Sequence, residues 1–198
     1  MFITVIINAV IFVIQIVPFP LNSKPIILFA IGQFDENCLN SLAQDISVEY
    51  RWLVVVQSVE MDLNPFYDEN RRQYDGNKLL KAIELIDTET YFKKIGLFQI
   101  DLFIPILTYI FGQAVFNGNS GIVSAFRLKN ELYGLKPDHP LLFKRFKKVI
   151  IHELGHSLGL IHCQHPKCVM RSSTYVEDID QKSAHFCSSC KLKLDKLI

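Results

Sequence analysis

The sequence has almost no net charge. Its 21 lysines and arginines are matched by 20 aspartates and glutamates, a formal +1 at pH 7. No basic stripe interleaves with aromatic residues, so a nucleic-acid partner is excluded. The basic run Lys144, Arg145, Lys147 and Lys148 reads instead as the solvated face of a helix. Charge is missing altogether from residues 1–17, where every residue except Thr4, Asn8 and Gln15 is apolar. That segment only reaches the lower length limit of a membrane span. It also lacks the basic start and the small-residue cleavage site of a secretory signal. Two readings stay open for it: an anchor or uncleaved signal, or an extra strand or unstructured extension. The expectation is a cytoplasmic monomer, with membrane association through residues 1–17 as the alternative. Apolar residues are plentiful, 49% against 21% charged, enough to bury the core of one compact domain with appendages.

The most informative stretch is HELGHSLGLIH, residues 152–162. On a helix, His152 and His156 lie one turn apart on the same face, so both imidazoles can bind one metal ion at a fixed separation. Glu153 stands beside them, angled toward the same pocket. A straight continuation of the helix would carry His162 past that pocket. Gly159 is therefore expected to take a left-handed backbone, end the helix and return His162 as a third ligand. Three neutral imidazoles leave a zinc ion one open position, where the pKa of water falls to about 7. Glu153 is placed to take that proton and pass it to a leaving amine, which is the chemistry of amide hydrolysis.

The cysteines form a second constellation. Cys163 and Cys168 make one close pair, Cys187 and Cys190 a CxxC pair, and a short loop separates them. This is a zinc-site pattern in a reduced chain, with two disulfides or a redox-active CxxC as the alternatives. A tetrathiolate site is coordinatively closed, so its zinc would be structural, holding a tail with too little apolar sequence to bury a core of its own. Consecutive side chains diverge, so His162 and Cys163 can serve two separate ions. His165 and His185 read as surface residues, and Cys38, in an apolar-periodic stretch, as a small buried hydrophobe.

Together these residues resemble the archaemetzincins, zinc metallopeptidases of the metzincin clan: HELGHSLGLIHC, then QHPKC, then Val169 and Met170, then Cys187 to Cys190. The segments RRQYDGNKLL, QIDLFIPILTYIFGQAVF and GIVSAFRL extend the resemblance upstream, over roughly residues 24–194. It implies His152, His156 and His162 as catalytic-zinc ligands, Glu153 as general base, and Cys163, Cys168, Cys187 and Cys190 as ligands of a structural zinc. Met170 would be the Met-turn methionine, a soft apolar floor beneath the histidines. Some metzincins carry a tyrosine two residues after that methionine, but this chain has Ser172 there. Tyr175, the nearest tyrosine, is not assigned that role, so no oxyanion donor besides zinc is named.

Residues 25–31 read as a strand, 36–47 as a helix, 49–56 as a second strand and 77–86 as a second helix. A buried strand over 95–100 and an irregular apolar stretch follow. Strands over 112–116 and 121–127 are then joined by the turn-prone NGNSG. Pro140 after Asp138 suits the start of a helix running to residue 158 with the zinc ligands. The fold class expected is α+β: a zincin-like mixed sheet with helices and a small C-terminal zinc-bound subdomain. Residues 1–23 form the apolar extension, 24–162 the subdomain with the active-site helix, and 163–198 the subdomain with Met170 and the cysteine site. An exposed sheet edge beside the zinc, assigned to residues 121–127, would bind a peptide substrate as an added strand.

The expected function is a peptidase with two zinc ions, one catalytic and one structural. Two alternatives share its residues: a zinc-stabilised peptide-binding module with little turnover, and an amidohydrolase acting on non-peptide amides.

Overall fold

The computed structural model describes residues 24–86 and 89–197; the readings of residues 1–17 fall outside the described residues. In chain order the elements are β1 (Ile26–Ile31), α1 (Glu36–Tyr50), β2 (Val54–Val59), β3 (Tyr67–Asp68), β4 (Gln73–Asp75), α2 (Gly76–Leu85) and β5 (Lys93–Phe98). Then come β6 (Leu102–Ile104), β7 (Leu107–Ile110), β8 (Gly112–Ala114), β9 (Ser120–Ser124), α3 (His139–Ser157), α4 (Val176–Gln181) and α5 (Ser188–Leu194).

The main sheet runs β2-β1-β5-β9-β8, with every pair parallel except the β8–β9 hairpin. All of β1 is buried, and its side chains alternate between two cores. Ile26, Leu28 and Ala30 pack with α1, α3 and the C-terminal segment, while Ile27, Phe29 and Ile31 pack with α2. The α+β class is as expected. Residues 163–197 bury Cys168, Val169, Met170, Val176, Ile179 and Leu194 in the same cluster as Ile26 and Leu28.

An aspartate opens each of the three longer helices. Asp35 accepts a hydrogen bond from the Cys38 N–H, Asp75 from those of Asn77 and Lys78, and Asp138 from that of Leu141. Helix α1 runs on through Tyr50, so residues 49–51 do not belong to β2. Leu39, Leu42, Ile46 and Tyr50 share one buried face, and the Tyr50 hydroxyl donates to Ile151 O on α3 at 2.6 Å. Arg51, at φ 53°, then ends the helix in the left-handed region.

Two other expectations are corrected. The stretch after β5 is not irregular: β6 and β7 join β3 and β4 in a second small sheet. Its strands are too short for a two-residue hydrophobic period to register. Of the basic run on α3, Lys144 is exposed as expected, but the other three residues do not form a solvated face. Arg145 is 4% exposed. It forms a bidentate pair with Asp180 at 2.8 and 2.6 Å and also donates to Leu128 O and Asn130 Oδ1. Lys147 pairs with Asp45, and Lys148 donates to Ile179 O. Among the described residues no helix is long and apolar enough to cross a membrane.

Candidate metal centre

Helix α3 delivers His152, Glu153 and His156 to the floor of a cleft of about 540 Å³. Gly159 ends the helix at φ +91°, as its place in the motif requires, and the Leu160 N–H donates back to Gly155 O at 2.9 Å. His162 then returns, and the three histidines bring one ring nitrogen each within 4.8 Å of the others. The turn between β8 and β9 caps the same helix end: the Asn117 N–H donates to His156 O at 3.0 Å. Lys93 donates to both Gly118 O and Ser157 O, tying that turn to α3.

The ring orientations are set from behind. His152 Nδ1 lies 2.8 Å from Val169 O, and His156 Nδ1 lies 2.8 Å from Leu160 O. A carbonyl only accepts, so both Nδ1 atoms carry the proton and both Nε2 atoms present lone pairs. Those Nε2 atoms face each other at 3.0 Å. Two lone pairs at that distance repel unless a cation lies between them, so the donor set fits a zinc ion. Burial lowers the pKa of all three histidines, His152 furthest, and this keeps them in the neutral, ligating form.

Glu153 is 7% exposed, and burial pushes its carboxyl up to about 8. Two features missed in the sequence shape its surroundings. A β-carbon on Gly112 would meet Glu153 Cγ and Ile122 O, each at 2.8 Å, so only glycine lets β8 run this close to the carboxylate. Lys182, 4% exposed, lines the same cleft; burial lowers it to about 8, and its charge opposes the rise at Glu153. No spacing rule ties Lys182 to the histidine motif, so the sequence carries no signal for it.

The four cysteines converge as well. The sulfurs of Cys163, Cys168, Cys187 and Cys190 all lie within 4.8 Å of one another, and Cys163 and Cys187 are 3.7 Å apart. Tetrahedral zinc–sulfur bonds of about 2.3 Å put neighbouring sulfurs about 3.8 Å apart, so this set also fits zinc. Backbone joins the two centres: the Cys163 N–H donates to Met170 O at 3.0 Å. Met170 is fully buried against α3, where a β-carbon on Gly155 would fall 2.4 Å from its sulfur. Gly155 was also missed, although a small residue between the two helical histidines is a signal of such an approach. His165 and His185 are exposed, as expected, and Cys38 is partly buried.

The substrate edge differs from expectation. Strand β9, which lies within residues 121–127, is interior, paired with β5 and β8. The edge strand is β8, and Gly112, Gln113 and Ala114 line the cleft together with residues 172–175. A hairpin order that leaves its first strand outermost is not visible in a linear pattern.

A family model described as peptidase family M54 matches residues 56–196. The archaemetzincin of Saccharolobus solfataricus is 40% identical over 131 residues, spanning 66% of this chain and 70% of that protein. The archaemetzincin of Pyrococcus furiosus is 34% identical over 177 residues, spanning 86% and 92%. The crystal structure of archaemetzincin from Methanopyrus kandleri aligns with a TM-score of 0.78 at 32% identity, covering 90% of this chain and 97% of that one. That of a zinc-dependent peptidase from Methanocorpusculum labreanum aligns at 0.77 and 28% identity, covering 85% and 99%.

Proposed function

The chain belongs to peptidase family M54, the archaemetzincins, and from that membership we propose that Glu153 is its general base and acid and that His152, His156 and His162 hold its catalytic zinc. It is a zinc-dependent peptidase acting on peptide substrates. A second zinc, on Cys163, Cys168, Cys187 and Cys190, is part of the same reading, as is a C-terminal subdomain built around it. The single observation that carries the proposal is the pair of inward-facing Nε2 lone pairs on His152 and His156, with Glu153 beside them on one helix.

When bound there, zinc supplies a Lewis acid for the scissile carbonyl and brings the pKa of a water to about 7. The chain's own residues do the rest. A peptide aligns along the outer edge of β8, whose backbone groups face the cleft, as an added strand. Glu153 accepts a proton from the attacking water on a carboxylate oxygen and donates it to the departing nitrogen. Its burial supports this exchange, since desolvation raises the affinity of the carboxylate for a proton, while a cation held by the adjacent histidines would favour the ionised form that accepts it. Met170 and Gly155 support the histidine-bearing turn from below. The binding-module and non-peptide readings are not favoured. Four cysteines gathered for a metal ion rather than paired as disulfides support a reducing, cytoplasmic setting.

The test is a peptide-library digest read by mass spectrometry, with zinc counted by elemental analysis, on wild type and Glu153→Gln. Two zincs per chain are expected in both, with cleavage lost by about 100-fold or more in the variant. Undiminished cleavage by Glu153→Gln would overturn the assignment.

A further inference from the structure

We propose that Lys182, with the hydroxyl of Ser173, forms a carboxylate-binding subsite in the cleft, so that preferred substrates carry an anionic group close to the scissile bond. This rests on the peptidase reading above and deepens it.

Lys182 is 4% exposed, yet no carboxylate lies within 4.0 Å of it among the described ion pairs. Its ammonium makes one hydrogen bond there, to Arg171 O at 2.8 Å, out of three donors. The Glu153 carboxylate in the same cleft acts on this charge but forms no ion pair with it, so a buried ammonium keeps donors that no carboxylate contacts, which is costly. The second observation is in the same cleft. Ser173 Oγ is buried with no hydrogen-bond partner among the described residues, and it lines the same space as Lys182.

Both groups are firmly mounted. Lys182 follows α4, which the Arg145–Asp180 pair clamps to α3. The Asp178 carboxylate accepts from the N–H groups of Thr174 and Tyr175, fixing the segment that carries Ser173. Val149 and Ile179 supply apolar wall in the same cleft. A group that satisfies a cation and a hydroxyl while laying a short aliphatic stem on such a wall is a carboxylate, either of an acidic side chain or of a peptide C-terminus.

The test uses peptide hydroxamates, which bind through the metal without turnover, on the zinc-loaded protein by calorimetry. Three probes differ only in their anion: a glutamate side chain with an amidated end, glutamine with an amidated end, and glutamine with a free C-terminus. At least one carboxylate probe is expected to bind about tenfold tighter than the neutral one, and which one does so identifies the source. In Lys182→Met, with zinc content and melting temperature checked, the preference should fall to about twofold or less. Ser173→Ala should reduce it in part. Equal binding of all three probes by wild type, which needs no variant to fold, overturns the subsite, as does a preference that survives Lys182→Met. If no peptide is cleaved while the preference holds, the peptidase reading fails and the subsite stands.

Discussion

Gly112 lies so close to Glu153 that a β-carbon on it would fall 2.8 Å from Glu153 Cγ and 3.0 Å from Oε1. The edge strand and the Glu153 carboxylate therefore share one packing constraint. Gly112→Ala has to displace either Glu153 or the backbone at Ile122. Displacements of about 1 Å can cost about 100-fold in turnover. Such a fall in kcat with undiminished zinc is expected, measured by steady-state kinetics beside elemental analysis.

Gly155 and Met170 make a similar pair beneath the histidines. Gly155→Ala should destabilise the protein by about 1–3 kcal/mol through overpacking, and Met170→Ala by about 2–5 kcal/mol through the void it leaves. Because the added methyl occupies space the lost side chain vacates, the double variant should be more stable than the sum of the singles predicts. Chemical denaturation of all four proteins checks this; strict additivity would mean the two sites are independent.

The Arg145–Asp180 pair joins α3 to α4. Asp180→Asn leaves a buried guanidinium without its anion, at a cost of about 3 kcal/mol or more, or roughly 6–12 °C in melting temperature for a chain of this size. Arg145→Met, which removes the charge itself, should cost less than Asp180→Asn.

Glu153 gives a pH dependence whose sign is fixed by its raised pKa. Once zinc is stripped with a chelator, the folded state binds the Glu153 proton up to about pH 8, while the unfolded chain releases it near 4.5. The folded form is therefore penalised progressively as pH rises from about 4.5 to 8 and carries the full penalty above that. Glu153→Gln removes this term, so the variant's advantage in metal-free melting temperature should grow across that window and level off above it. An advantage that shrinks with rising pH would contradict the assignment.

Much of this was legible in the residues. The convergence of His152, His156 and His162, the place of Glu153 and the return at Gly159 follow from helical geometry and one glycine, all local in sequence. The helix starts at Asp35, Asp75 and Asp138 are equally local, because a cap acts on the next turn. What stayed hidden depends on distant partners. The charge of Arg145 looked solvated because Asp180, Leu128 and Asn130 are brought to it only by the fold. Lys182 and Gly112 reach the site from opposite ends of the chain's second half, and neither belongs to a repeat or period. The edge was misassigned to residues 121–127 because strand order across a sheet is set by packing. Strands β6 and β7 were hidden because each is too short to carry a period.

The three histidines are not held alike. His152 and His156 sit on α3 with their Nδ1 protons fixed by Val169 O and Leu160 O. His162 is exposed on the following loop and has only ring contacts with the other two among the described residues. In the proposed site the helical pair is therefore the preformed part, and His162 is the ligand whose position depends on the loop after Gly159. Cys163, the next residue, anchors that loop through its bond to Met170 O, so the order of the cysteine cluster sets how firmly His162 is held at a centre the cluster does not touch.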